Sequence, residues 1–92
     1  MAEVTLRVPT PLQPDTGGRD EIALEATRIA DLLDRVAENH PSLVQRIRTR
    51  DGGLRPYVNV FVRRTDIREL DGLATELQDG DEVIVMPSVA GG

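Results

Sequence analysis

One histidine, a few turn carboxylates and a carboxyl terminus carried on two glycines are the groups in this 92-residue chain that could do chemistry. There is no cysteine, which excludes disulfides, thiolate metal sites and thiol catalysis. All eleven basic residues are arginine, so no side-chain amine is present on which copies of the chain could be linked. His40 stands before Pro41 at the end of a helical pattern, the place of a cap or surface residue rather than a base. Around a single histidine no nucleophile–base–acid set can be assembled. Asp79, Asp81 and Glu82 flank Gly80 and read as a solvated acidic turn, not a metal site. No glycine-rich phosphate loop opens a helix. The expectation is that this chain is not an enzyme.

What remains is the terminus. Gly17-Gly18 and Gly52-Gly53 fall where loops are expected, and turn chemistry accounts for them. Gly91-Gly92 is a terminus, where no turn has to be made. The last strand pattern stops at Met86, dividing the chain into a folded unit over 1–86 and a flexible tail over 87–92. Six extended residues span about 20 Å. Pro87 stiffens the departure from the sheet, and the final pair carries no Cβ. Such an arm can thread a narrow channel in another protein, with Pro87, Ser88, Val89, Ala90 and Gly91 as the threading residues. It would present the Gly92 carboxylate at the far end.

The elements that must carry this arm follow from hydrophobic period. Val4, Leu6 and Val8 alternate on one strand face, ended by Pro9, and Glu21 to Leu24 alternates again as its hairpin partner. Residues 10–20 hold two prolines and a glycine pair and read as a loop or wide turn. Ile29, Leu32, Leu33, Val36 and Ala37 form one helical stripe, with Thr27 as N-cap and Asp31 in the first turn. Asp34 and Glu38 lie opposite the stripe, facing solvent. Leu43, Val44 and Ile47 add one further helical turn after Pro41, and residues 48–56 form a polar loop. Tyr57 to Val62 is the clearest strand; a turn with a short strand at Ile67, a helical turn at 72–77 and a last strand at 82–86 follow. One main helix and four or five strands can bury this stripe only as a two-layer α+β sandwich with a mixed sheet.

On the two best strands, Val58, Val60 and Val62, with Val83 and Val85, face the helix. Phe61, Ile84 and Met86 are then turned outward as an exposed apolar patch that marks a partner-docking surface. Arg63, Arg64 and Arg68 read as a solvated basic loop. Sixteen acids against eleven arginines give a net charge of −5, which disfavours a nucleic-acid surface and suits docking on a partner with a basic groove. No apolar run approaches the roughly 20 residues of a membrane span. Nothing near Glu3 resembles a signal peptide, so the expected location is cytoplasmic.

The segment DGDEVIVMPSVAGG over 79–92, after a strand–loop–helix order, resembles the ThiS/MoaD family of ubiquitin-like sulfur carriers. The Gly-Asp-Glu-Val run at 80–83, the proline after the last strand and the Val-Ala-Gly-Gly end carry that resemblance, which covers essentially the whole chain. PTPLQPDTGG at 9–18 and the 48–56 loop look most like the actinobacterial carriers of cysteine biosynthesis. The resemblance implies the β-grasp fold, with a mixed four- to five-stranded sheet, one main helix across one face and a flexible C-terminal tail.

It also implies a carrier that binds no cofactor or metal itself. A ubiquitin-activating-like adenylyltransferase, using ATP and magnesium, would adenylate Gly92, and a sulfur source would displace AMP to leave a thiocarboxylate. A sulfur-accepting biosynthetic enzyme would receive the sulfur: a pyridoxal-phosphate cysteine synthase, or a thiazole, pterin or thiosugar synthase. No nucleic acid or membrane is implied. A protein modifier joined to lysines of other proteins through the same terminus is the second class, and an adaptor with an idle tail the third.

Overall fold

A computed structural model describes residues 1–87. Period-two alternation makes β1 (Ala2–Arg7), which turns Ala2, Val4 and Leu6 inward and pairs antiparallel with β2 (Glu21–Ala26). Two helices follow, α1 (Ile29–Asn39) and α2 (Pro41–Ile47), then β3 (Val58–Val62), β4 (Thr65–Asp66) and β5 (Glu82–Pro87). The five strands form one mixed sheet in the order β2-β1-β5-β3-β4. The first and last strands, β1 and β5, lie side by side and parallel; the other three pairings are antiparallel.

The helices cover one face of that sheet. Ile29, Leu32, Leu33 and Val36 of α1 and Leu43, Val44 and Ile47 of α2 pack onto Leu6, Val58, Val60, Val62, Val83 and Val85. The core is aliphatic, as the scarcity of aromatics requires. His40 joins the helices, donating its backbone N–H to the Val36 carbonyl at 2.8 Å while Pro41 opens α2 with φ already helical.

Several elements depart from the sequence expectation. Residues Thr10–Thr16 form a 3₁₀ helix instead of an open loop, with Leu12 and Thr16 buried beneath it. Pro11 is tolerated in its first turn, where no N–H is needed, Pro14 lies inside it, and Gly17 ends it at φ 68°. Ile67 is fully buried, yet it belongs to a 3₁₀ turn, Ile67–Glu69, not a strand. Asp66 caps that turn by accepting the Arg68 N–H at 2.8 Å. Arg63 and Arg64, at φ 50° and 65°, make the two-residue connection between β3 and β4 in the left-handed geometry that tight hairpins require.

Thr27 is not the N-cap of α1. Arg28 holds that position with no side-chain cap, and the first helical N–H, that of Ile29, is taken by the Thr75 carbonyl at 3.1 Å. Asp31 reaches back instead, accepting the Thr27 N–H at 2.8 Å and the Arg35 guanidinium at 3.1 Å. The Thr27 amide, followed by Arg35, holds the Asp31 carboxyl below the ordinary aspartate range. A carboxylate whose folded pKa is lowered contributes stability that is complete above its unfolded pKa, about 4, and is lost as pH falls through the folded value. Asp31→Asn should therefore lower stability by about 0.3–1 kcal/mol at neutral pH. The deficit should vanish in acid below the carboxylate range, as urea melts of both proteins at the two conditions would show.

Candidate functional site

The face of the sheet turned away from the helices carries the candidate site. Register places Phe61 opposite Ile84, Ile84 beside Arg7, and Asn59 opposite Met86. Their side chains therefore share the open face, while the intervening valines are buried. Phe61 and Ile84 are half-buried and Met86 is 52% exposed, so the three expected patch residues form one apolar strip. That strip ends at Pro87.

Pro87 is itself part of the sheet, one residue further than expected. It pairs with Val58, whose N–H donates to the Arg55 carbonyl at 3.1 Å and whose carbonyl accepts from Arg68 at 2.8 Å. Both backbone groups of Val58 are thus satisfied elsewhere, and the missing proline N–H costs the ladder nothing. The other expected tail residues, Ser88, Val89, Ala90, Gly91 and Gly92, lie outside the described residues.

Polar side chains border the strip. Arg7 bonds Glu21 across the sheet at 3.0 Å. Arg68 spans the start of β3, donating to the Arg55 carbonyl at 2.9 Å as well as to Val58, with Asn59 Oδ1 at 3.3 Å. Arg68 is therefore a clamp on β3, not part of a solvated loop, because three acceptors converge where its fork can reach them. Arg63 is likewise engaged, paired to Asp81. Only Arg64 of that trio lacks an ion pair among the described residues.

In the acidic turn before β5, Asp79 and Glu82 are exposed as expected, but Asp81 is not. Asp79 accepts the Glu3 N–H at 2.9 Å. Asp81 is buried, bonded to Arg63 and accepting the Gln78 N–H at 2.7 Å. Its carboxylate closes the turn that launches the last strand. Among the described residues no grouping of His, Cys, Asp and Glu could hold a metal ion, and no helix is long and apolar enough to cross a membrane. His40 sits at the helix junction, as expected.

Sequence reasoning missed Arg7 as a neighbour of the strip and Asp81 as a buried anchor. Alternation alone puts Arg7 on the open face, but only the β1–β5 crossover sets it beside Ile84. For Asp81 the usable signal was Arg63, eighteen residues away, which follows the end of β3 just where its antiparallel partner β5 begins.

Residues 6–92 match the ThiS family. The sulfur carrier protein CysO of Mycobacterium tuberculosis is 34% identical over 91 residues, covering 97% of this chain and 98% of that protein. A chain of the Amycolatopsis orientalis BexX/CysO complex superposes with a TM-score of 0.89 at 32% identity, covering 97% of this chain and 99% of that one. The small archaeal modifier protein 1 of Methanosarcina acetivorans gives 0.86 at 30% identity, over 100% and 98%. With a five-stranded β-grasp sheet, a helix across one face and a match running to Gly92, the chain belongs to the ThiS family and has the ubiquitin-like fold.

Proposed function

We propose that this protein is a sulfur carrier whose Gly92 carboxylate is adenylated by a partner and converted to a thiocarboxylate. The observation that carries the reading is full-length similarity to CysO in a chain whose last strand is followed within five residues by Gly91-Gly92.

The chemistry needs no catalytic group from this chain. A carboxylate resists nucleophiles because it is anionic and has a poor leaving group. Attack of a carboxylate oxygen on the α-phosphorus of ATP expels pyrophosphate and forms a mixed anhydride, which removes both obstacles. A sulfur donor then adds at the carbonyl carbon, the C–O bond to AMP breaks, and a thiocarboxylate remains. ATP and magnesium belong to the activating enzyme. Phe61, Ile84 and Met86 dock against that enzyme while Ser88 to Gly91, the residues beyond the paired Pro87, thread its channel.

Similarity to CysO favours cysteine as the product. The thiocarboxylate sulfur would add to an aminoacrylate held on a pyridoxal-phosphate enzyme, followed by acyl transfer and hydrolytic release. A second reading, a modifier joined to lysines of other proteins, is favoured by the likeness to small archaeal modifier proteins 1 and 3.

Intact-mass spectrometry after incubation with ATP, the activating enzyme and a sulfur donor separates the two. One oxygen exchanged for sulfur at the terminus is the result expected of a carrier. Adducts on other chains without that exchange would establish the modifier, and an unchanged mass would remove both.

A further inference from the structure

The seam between β1 and β5 opens at its C-terminal end, where a proline interrupts it. The Thr5 N–H donates to the Asp81 carbonyl at 3.0 Å, so Asp81, Val83 and Val85 turn their backbone groups toward β1. Pro87 follows the same parity, which is why its partner Val58 sends both backbone groups elsewhere. Continued at the same offset, the ladder sets residue 9 against the Val85 carbonyl. That residue is Pro9, which has no N–H to give, so among the described residues the carbonyl is left without a donor on this edge.

The carbonyl opens into a depression of about 340 Å³. Val85 lines it although its side chain is buried, so its contribution is backbone. Pro9, Ile84 and Met86 supply apolar walls, while Gln13 and Asp20 border it from the connection between β1 and β2. A two-residue turn would close that hairpin. The connection instead runs through the Thr10–Thr16 3₁₀ helix, fixed by buried Leu12 and Thr16 and by the Asp15–Arg46 ion pair at 2.6 Å. This wall is a built part of the fold.

The polar groups left free here are acceptors. Gln13 uses its Nε2 on the Val8 carbonyl at 3.1 Å, which leaves Oε1. The Asp20 carboxylate makes no ion pair among the described residues. Arg7, the one cation bordering the depression, is paired to Glu21 at 3.0 Å. Those two charges cancel, and Asp20 leaves the site one unit negative. Free acceptors, apolar carbon and a negative charge together fit arginine, which joins an aliphatic stem to a planar head of N–H donors.

We propose that this depression receives an arginine side chain of the enzyme that activates Gly92. The stem lies on Met86 and Pro9, and the guanidinium donates to the Val85 carbonyl beside Asp20. This rests on the activation of Gly92 proposed above. Gly92 is six residues beyond Met86, at most about 20 Å of chain, so an enzyme that holds the terminus lies against this end of the sheet.

Pro9→Ala gives the first test, in two readings. Pro9 has φ −69° and ψ 159°, extended geometry that alanine adopts, so the substitution adds an N–H facing the Val85 carbonyl. Hydrogen exchange should find the amide introduced at position 9 protected. Rapid exchange there would show that the carbonyl is not open on this edge and would end the proposal. With the carbonyl occupied, KM for loading by the activating enzyme should rise about three- to tenfold at unchanged kcat.

Asp20→Arg should raise KM about tenfold by placing a cation where the arginine docks. Glu25→Arg makes the same change of net charge about 16 Å further along β2 and should raise KM by less than about twofold. Melting curves verify that all three variants fold. A protected amide with parental KM, or equal effects of Asp20→Arg and Glu25→Arg, would overturn the proposal. Failure of the sulfur-carrier reading shows up separately, as a parent chain that ATP and the activating enzyme leave unaltered.

Discussion

Asp81→Ala should lower the unfolding free energy by about 2–4 kcal/mol, well beyond the effect expected of Asp31→Asn. The Asp81 carboxylate is 8% exposed, bonded to the Arg63 guanidinium and to the Gln78 N–H. Truncation leaves both donors without their acceptor in a half-buried corner, which is where unmade hydrogen bonds are most costly. Arg63 keeps 39% of its side chain in solvent and can rehydrate in part, so the loss falls below that of a fully buried pair. In a domain with only about 5–15 kcal/mol in total, the melting temperature should fall by more than roughly 10 °C. Asp81→Asn keeps an acceptor for the Gln78 N–H and should cost less than half as much. Arg63→Ala leaves the buried carboxylate unpaired, and the double variant should be more stable than the sum of the two singles implies. Strict additivity in urea melts would show that the pair does not act as a unit.

That corner also shows what could and could not be read from the sequence. β3, β5 and the stripe of α1 were legible because each buries one face, and burial imprints a period of 2 or 3.6 on the residues themselves. The open-face positions of Phe61, Ile84 and Met86 followed from the same alternation. Asp81 was not legible, since its environment is set by Arg63 across the sheet and by a turn that folds its carboxylate inward. The start of α1 failed for a related reason. A local rule pointed to Thr27, but the Ile29 N–H is satisfied by Thr75, which arrives from the far side of the chain. The 3₁₀ segments at Thr10–Thr16 and Ile67–Glu69 are too short for periodicity to separate them from loops. Pro87 reads locally as a strand terminator. It is tolerated in β5 because Val58 directs its own backbone groups to Arg55 and Arg68, a partnership visible only once the sheet is assembled.

Met86→Asp should reduce the efficiency of loading by the activating enzyme about 10- to 100-fold while leaving the fold intact. Met86 is 52% exposed at the end of the apolar strip, so a carboxylate there stays hydrated in the free protein and stability should change by less than about 0.5 kcal/mol. On docking, the same carboxylate would have to be desolvated against an apolar pocket without a partner. A penalty of about 1.4–2.8 kcal/mol corresponds to that range of rate. The effect should fall on KM, with kcat recovered at high carrier concentration, because the terminal carbonyl and its path into the active site are unchanged. Deleting Gly92 should do the opposite, preserving binding while abolishing turnover, since the remaining arm ends short of the site where the carboxylate is activated. A Met86→Asp protein that is loaded with unchanged KM would take this face out of the interface and direct attention to the helical side of the molecule. A kcat defect at saturation would instead make Met86 a residue that positions the tail, through its place one step before Pro87 on the strand from which the arm departs.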